Sequence, residues 1–309
     1  MSVVQSYSSP LTTGQLRHLL LKDLNTVAGS KQLLPKFYEK VYKVSKSDMN
    51  PMYDMEMRDS TWGQQTPEAA DAPIAVQGEG ILTTTPIKTY TNASFVTLQA
   101  QQDNLYRAQW SAQRNGFVDA HEVLENIVLW SQFNNARNSS SNLGDNKPLL
   151  STEHVLAEGT YANTFAQPQG LSKGALQTAV TSIQLFKSYS MYPKNLRAKW
   201  LMVPMPLTPL AQTILFSPDD PNTANRAINA IYHGGYFSEG IIGNPYLNDP
   251  TAFFCGTNED LNFIMYTRMP LTIEALPITL AFVFGYVSAA RWGQNCLSGR
   301  AVYGSTLFD

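Results

Sequence analysis

The chain has 309 residues, which is enough for one large domain or two smaller ones. Its formal net charge is −2 and only 15% of its residues are charged, against about 25% in an average soluble protein. The overall charge therefore predicts no strong attraction to nucleic acid, and no apolar run of about 18 residues or more predicts a membrane span.

The missing charge is replaced by Asn, Gln, Ser, Thr and Tyr rather than by aliphatic residues. Cores of protein interfaces are depleted of charge and enriched in Tyr, Phe, Trp and Met. This composition favours a chain whose surface is largely covered by neighbouring copies or partners. The alternative is a monomer with a polar, uncharged surface.

The first 46 residues are basic, with seven Lys or Arg against two Asp or Glu. Leu16, Leu19, Leu20 and Leu24 recur at helical spacing, which predicts a short amphipathic helix that ends at Gly29. A second basic amphipathic segment follows and is predicted to form another short helix. Two short helices with a basic face are typical of an arm that binds a partner or a membrane surface. The alternative is that both helices pack on the body of the chain. The basic candidates are Arg17, Lys22, Lys31, Lys36 and Lys40.

Residues 47–87 are acidic, with seven Asp or Glu against one Arg. Residues 63–73 have no apolar period, and residues 74–87 alternate in a way that suits a pair of strands. Because a long irregular stretch is uncommon inside a compact domain, we expect a two-stranded arm that reaches a neighbouring copy. Its candidate contact residues are Met55, Met57, Arg58 and Trp62.

Residues 95–133 form the longest run of helical pattern in the chain, and a helix of that length spans about 50 Å. We predict a kink or break near Gly116 and a solvated face at His121 and Glu122. The predicted apolar stripe consists of Leu105, Ala108, Ala112, Gly116, Ala120, Val123, Ile127 and Trp130.

The remaining chain mixes short strands, among them residues 240–243 and 251–255, with helices and without a regular βαβ order, which predicts an α+β fold. Ser172 is placed to cap a helix that begins at Lys173. Cys255 and Cys296 are expected to be buried thiols, since no secretory leader precedes them in this sequence.

We find no pattern that predicts catalysis, a cofactor or a metal site. The phosphate-binding, dinucleotide-binding and zinc-protease motifs are absent, and two Cys residues 41 positions apart do not have zinc-ligand spacing. None of the four His residues stands in a recognisable catalytic context, and His154 is interpreted as a structural residue. We therefore predict that the chain is not an enzyme.

Four segments stand in a characteristic order: the long helix with Asn115-Gly116-Phe117, the segment Lys147-Pro-Leu-Leu-Ser-Thr-Glu-His154, the helix start Leu171-Ser-Lys-Gly-Ala-Leu176 with Leu201-Met-Val-Pro204, and the segment 241–254. Together they resemble the major capsid proteins of tailed bacteriophages with the Hong Kong 97 fold, in particular the Mu-like major head subunit. Val155 departs from the family's pattern, which has Pro at that position.

The resemblance implies five parts. These are an N-terminal arm (1–50), an extended E-loop (51–94), a peripheral domain with the long spine helix (95–171), an axial domain (172–275), and C-terminal strands that return to the peripheral domain (276–309). It implies self-assembly as hexamers and pentamers into an icosahedral shell. The shell would enclose double-stranded DNA through non-specific contacts, with the basic arm facing DNA or a neighbour's acidic E-loop.

The resemblance further implies a portal protein, a scaffolding protein and, in some cases, a decoration protein as partners, with assembly in the bacterial cytoplasm and a final location in the virion. No Lys lies between Lys46 and Lys88, so no isopeptide crosslink is expected from the loop tip. Two alternatives stay open: an encapsulin-like shell that encloses protein cargo, and a soluble enzyme of unknown type.

Overall fold

The structure is a computed structural model that describes residues 37–60, 65–68, 71, 74, 78–97, 107–138, 143–219, 228–259, 263–276 and 283–307. Within these residues the helices are α1 Arg107–Asn134, α2 Lys173–Gln184, α3 Thr208–Phe216 and α4 Ala230–His233, with 3-10 turns at Phe37–Lys40, Met205–Leu207 and Gly299–Ala301. The strands are β1 Lys43–Lys46, β2 Met52–Met57, β3 Glu79–Thr85, β4 Lys88–Thr97, β5 His154–Val155, β6 Thr160–Tyr161, β7 Ala198–Pro204, β8 Ile241–Asn244, β9 Phe253–Thr257, β10 Phe263–Leu276, β11 Val283–Cys296 and β12 Val302–Ser305.

The long sheet has the strand order β1-β10-β11-β4. Strands β10 and β11 are neighbours in sequence and pair antiparallel from Phe263↔Cys296 to Leu276↔Gly285. Strand β4 pairs antiparallel with β11 along its whole length, and β1 joins the far edge in parallel with β10.

A second sheet, of order β12-β9-β7-β8, separates two hydrophobic cores. Side chains alternate between the faces of a strand, so Trp200 and Met202 of β7 face the first core while Leu201 and Val203 face the second. The first core also contains the last turns of α1 and residues of the long sheet. The second is closed by α2 and α3. The predicted α+β class is confirmed.

Several local predictions are confirmed. Ser172 caps α2 and its side chain accepts a hydrogen bond from the Ala175 N–H at 3.2 Å. Cys255 and Cys296 are both buried and free. Strands β8 and β9 lie where short strands were predicted.

The predicted start of the long helix is wrong. Residue 95 lies in β4, where it pairs with Gly285, and the described helix begins at Arg107. Pairing with β11 outweighs the helical pattern because the alternating Thr, Tyr, Phe and Val residues of β4 suit an extended strand. The helix then continues through Gly116 to Asn134 without the predicted break.

The predicted apolar stripe of this helix is confirmed at Trp130, which is buried, but Gly116, Ala120, Val123 and Ile127 are exposed. The side that faces the body carries Trp130 together with Val118, His121, Asn126, Leu129, Gln132 and Phe133. His121 was predicted to lie on a solvated face, yet it is buried against β11.

Candidate functional site

Strands β2 and β3 form an antiparallel hairpin, with Met55 opposite Leu82 and Tyr53 opposite Thr84. Because side chains alternate along a strand, one face of the hairpin carries Tyr53, Met55, Met57 and Leu82. Their exposed fractions are 54%, 38%, 59% and 48%. We call these four residues the ribbon face. Four large apolar side chains open to solvent on one two-stranded surface are typical of an interaction site.

The opposite face of the hairpin lies against the body of the same chain. Tyr266 donates a hydrogen bond to Asp54 at 2.7 Å, and Tyr192 donates to the Ser60 carbonyl at 2.9 Å. The base of the hairpin is therefore anchored on its inner side, while the ribbon face stays open.

A cluster of buried charges lies beneath the hairpin. Glu56 of β2 is ion-paired with Arg300, whose Nε lies 3.5 Å from Oε2 of Glu259. Glu259 also accepts a hydrogen bond from Lys194 Nζ at 2.6 Å. Two carboxylates and two cations thus balance one another at the junction of the hairpin, the segment after β9 and the segment before β7.

Backbone contacts position Arg300 in this cluster. Ser298 caps the 3-10 turn Gly299–Ala301 by accepting a hydrogen bond from the Arg300 N–H, and Thr257 Oγ1 donates to the Arg300 carbonyl at 2.7 Å. Burial raises the pKa of Glu56, while the positive charges of Arg300 and Lys194 act in the opposite direction.

An aromatic pair extends the cluster. The His154 ring stacks on Tyr161 with ring centroids 5.1 Å apart, and the guanidinium of Arg300 lies 5.7 Å from the centroid of Tyr161. His154 Nδ1 donates a hydrogen bond to Asp145 at 2.7 Å. Burial opposes ionisation of Asp145, but bonds from His154 and from the backbone N–H groups of Lys147 and Val155 hold its pKa below the usual range. The interpretation of His154 as a structural residue agrees with this geometry.

The half-open pocket between the hairpin and this cluster has a volume of about 10 Å³ and is lined by residues that include Glu56, Asp145, Tyr161 and Arg300. Such a volume holds about one water molecule and no organic substrate. Among the described residues, no group of three or more His, Cys, Asp or Glu is arranged to hold a metal ion. No helix of the described chain is long and apolar enough to span a membrane.

The structure brings Met55 and Met57 together on the ribbon face, and Arg58 follows them, exposed, with its N–H bonded to the Gly78 carbonyl at 2.9 Å. Lys40 is exposed in the first 3-10 turn. The other predicted candidates lie outside the described residues; they are Trp62, Arg17, Lys22, Lys31 and Lys36.

Sequence reasoning missed the buried charges Glu56, Glu259 and Arg300. It also missed that Tyr53 and Leu82 belong to the same exposed face as the two methionines. The strict alternation of apolar and acidic residues from Tyr53 to Met57 is a strand signal that would have revealed this face. No sequence pattern indicates that Arg300 pairs with Glu56.

Comparison with solved structures shows which fold this is. The capsid of Myoviridae phage XM1 matches with TM-score 0.53 and 12% identity over 88% of this chain and 92% of that chain. A structure from Mycobacterium phage Patience matches with TM-score 0.55 and 9% identity over 99% and 94%. The holo-SrpI encapsulin complex from Synechococcus elongatus PCC 7942 matches with TM-score 0.51 and 9% identity over 90% and 89%.

No protein-family model matches the chain, and no curated protein matches it in sequence. At these identities the structural likeness shows the fold alone. The chain has a Hong Kong 97-type capsid fold over most of its length.

Proposed function

We propose that this chain is the major capsid protein of a tailed bacteriophage, a structural subunit that assembles as hexamers and pentamers into an icosahedral shell around double-stranded DNA. The single observation that carries the proposal is a capsid-type fold whose hairpin leaves an apolar ribbon face open. We retain the Mu-like head-subunit type as the proposed subtype, and a structural rather than catalytic role.

The mechanism is geometric. In a closed shell every subunit presents the same surfaces, so a ribbon face on one copy meets the same receiving surface on the next. Burying a Met or Leu side chain stabilises an interface by about 1.5–3 kcal/mol, and Tyr53 adds an aromatic anchor with a polar tip. Anchoring of the inner face by Arg300 holds the ribbon in one orientation, which lowers the entropic cost of docking.

We propose that the subunit has the five parts predicted from the sequence: an N-terminal arm (1–50), an E-loop (51–94), a peripheral domain (95–171), an axial domain (172–275) and returning C-terminal strands (276–309). The proposed partners are further copies of the chain, a portal, a scaffolding protein, a decoration protein and the packaged DNA. Assembly takes place in the host cytoplasm. Lys88 begins β4 at the base of the hairpin, and we propose shells without an isopeptide bond from the loop tip.

A second candidate function is an encapsulin-like shell that holds protein cargo. The specific observation in its favour is the likeness to the Synechococcus encapsulin. The two shells differ in content: a phage head encloses nucleic acid, whereas an encapsulin encloses protein. A soluble enzyme of unknown type is the alternative of another class.

The test is electron microscopy of the purified full chain combined with size-exclusion chromatography. Closed shells or rings of five and six subunits support a shell protein, and the ratio of absorbance at 260 and 280 nm, with nuclease treatment, then separates DNA from protein content. The chain alone is compared with the chain co-expressed with a scaffolding protein. Only small discrete oligomers in both samples would overturn the proposal.

A further inference from the structure

The outward face of the spine helix α1 is apolar, although the helix already buries its other side against the body. Val123 and Ile127 are 44% and 53% exposed, and they continue the line of exposed positions Gly116 and Ala120 at spacings of four, three and four. We call these four residues the outer stripe. It runs for about 17 Å along the helix.

This helix differs from an ordinary surface helix because apolar residues lie on both of its sides. The side facing the body buries Leu129, Trp130 and Phe133, while Val123 and Ile127 face outward. A surface helix normally turns its apolar residues inward and its polar residues to water. A helix with apolar residues on both sides is typical of one that is covered on both sides.

The described chain begins close to this helix. Tyr38 donates a hydrogen bond to Glu125 at 3.1 Å, and Tyr42 donates to the Leu129 carbonyl at 2.8 Å. Residues 1–36 precede this point, so they leave the described body beside the middle of α1. From residue 24 to residue 37 the chain reaches at most about 45 Å, whereas a helix with its side chains is only about 10–12 Å across.

The sequence of that segment complements the stripe. In a helix, Leu16, Leu19, Leu20 and Leu24 form an apolar line about 12 Å long, which is long enough to cover most of the outer stripe. Residues 1–36 carry four basic residues against one acidic residue, and the acidic Asp119 and Glu122 adjoin the stripe on α1.

We propose that residues 13–24 of the same chain dock on the outer stripe of α1, so that the spine helix is packed between the body and the chain's own N-terminal segment. The leucines of the segment cover Val123 and Ile127, and Gly116 and Ala120 allow its backbone to approach closely. This assignment goes beyond the proposed shell function and does not depend on it, because the contact forms within a single subunit.

Disulfide trapping tests the proposal in the full chain. Both native thiols are buried, so introduced cysteines are the reactive ones. The test variant carries Leu20→Cys with Val123→Cys, and a second pair, Leu16→Cys with Ile127→Cys, serves if the first variant does not fold. The control combines Leu20→Cys with Leu185→Cys, because Leu185 is exposed at the end of α2 and outside the stripe.

Under mild oxidation at low protein concentration, we expect an intramolecular disulfide in the test pair, seen as a faster monomer band on non-reducing gels and confirmed by peptide mapping. The control pair should react at least about tenfold more slowly, since its thiols are not held at high effective concentration. A disulfide that joins two chains would overturn the assignment in favour of a neighbour's segment. Equal rates for test and control pairs would overturn it altogether.

Discussion

Glu56 on the hairpin is ion-paired with Arg300 in the last 3-10 turn, across a sequence separation of 244 residues. Both side chains are almost completely buried. The contact ties the strand that carries the ribbon face to the C-terminal part of the second sheet. It therefore links the surface proposed to meet a neighbour with a buried part of the body.

We predict that Arg300→Met destabilises the subunit by about 3–5 kcal/mol, because it leaves Glu56 buried without its cation and leaves Glu259 with Lys194 alone. Urea unfolding followed by tryptophan fluorescence measures the change. The matched control is Lys199→Met, which removes an exposed ion pair with Glu239 and should cost at most about 1 kcal/mol. Equal costs for the two variants would contradict the role given to the buried cluster.

His121 predicts a dependence of stability on pH. Its Nε2 lies 2.5 Å from Ser288 Oγ, and because the Ser288 hydroxyl donates its proton to the Asn92 carbonyl at 3.2 Å, Nε2–H is the donor. Burial lowers the pKa of His121. The unfolded chain therefore binds the proton more tightly. The stabilisation is complete above the unfolded pKa of about 6.5 and is lost as the pH falls below that value through the lower folded pKa.

The measurement is the free energy of unfolding between pH 5.5 and 7.5 for the wild type and for His121→Asn. The variant should be less stable at pH 7.5 and should show a shallower loss of stability on acidification. A wild-type profile that coincides in slope with that of the variant would show that His121 does not contribute.

Gly256 of β9 allows Trp200 to pack on the second sheet. A Cβ at this position would lie 1.9 Å from Cε2 of Trp200, which is far too close. We predict that Gly256→Ala destabilises the fold by about 1–3 kcal/mol or more, measured by thermal and urea unfolding. Gly174 in α2 is the control, because nothing lies within 4 Å of a Cβ there, and Gly174→Ala should be neutral or stabilising by up to about 1 kcal/mol.

The sequence correctly predicted those features that depend on residues close to one another along the chain. The Ser172 cap and the short strands β8 and β9 follow from local patterns, and those patterns are satisfied where they occur. The end of β4 could not be predicted in this way, because residue 95 is extended by pairing with Gly285, which is distant in sequence. Because only the helical periodicity was used, the start of the helix was predicted too early in the chain.

The spine helix shows why its buried face was predicted correctly at Trp130 and wrongly from Gly116 to Ile127. Residues with helical spacing occur on both of its sides, and the true inner side contains polar residues that lower its apparent hydrophobicity. Asn126, for example, has partners for both ends of its amide: it accepts from the Trp130 indole N–H at 3.2 Å and donates to the Glu122 carbonyl at 2.9 Å. Burial of a paired amide costs little, but the pairing is visible only in three dimensions.

The ribbon face was found only in part for the same reason. Met55 and Met57 were named from their residue type, and Leu82 joins them only because β3 pairs with β2 in a particular register. A shift of one residue in that register would have turned Leu82 to the anchored side. The contact surface is therefore a property of the hairpin and not of either strand.

Substitution on the ribbon face should weaken assembly and leave the subunit folded. We predict that Met57→Gln with Leu82→Gln changes subunit stability by no more than about 0.5 kcal/mol for each position, because both side chains are exposed. If these residues are buried between copies, the same change costs about 1.5–3 kcal/mol per side chain in the interface, or roughly 10- to 100-fold in the association constant at each position.

Sedimentation velocity across a concentration series measures assembly, and urea unfolding measures stability. The control is Leu307→Gln, an exposed apolar residue at the far end of the chain, which should assemble like the wild type. Wild-type assembly by the ribbon variant would show that the neighbour is held by another surface.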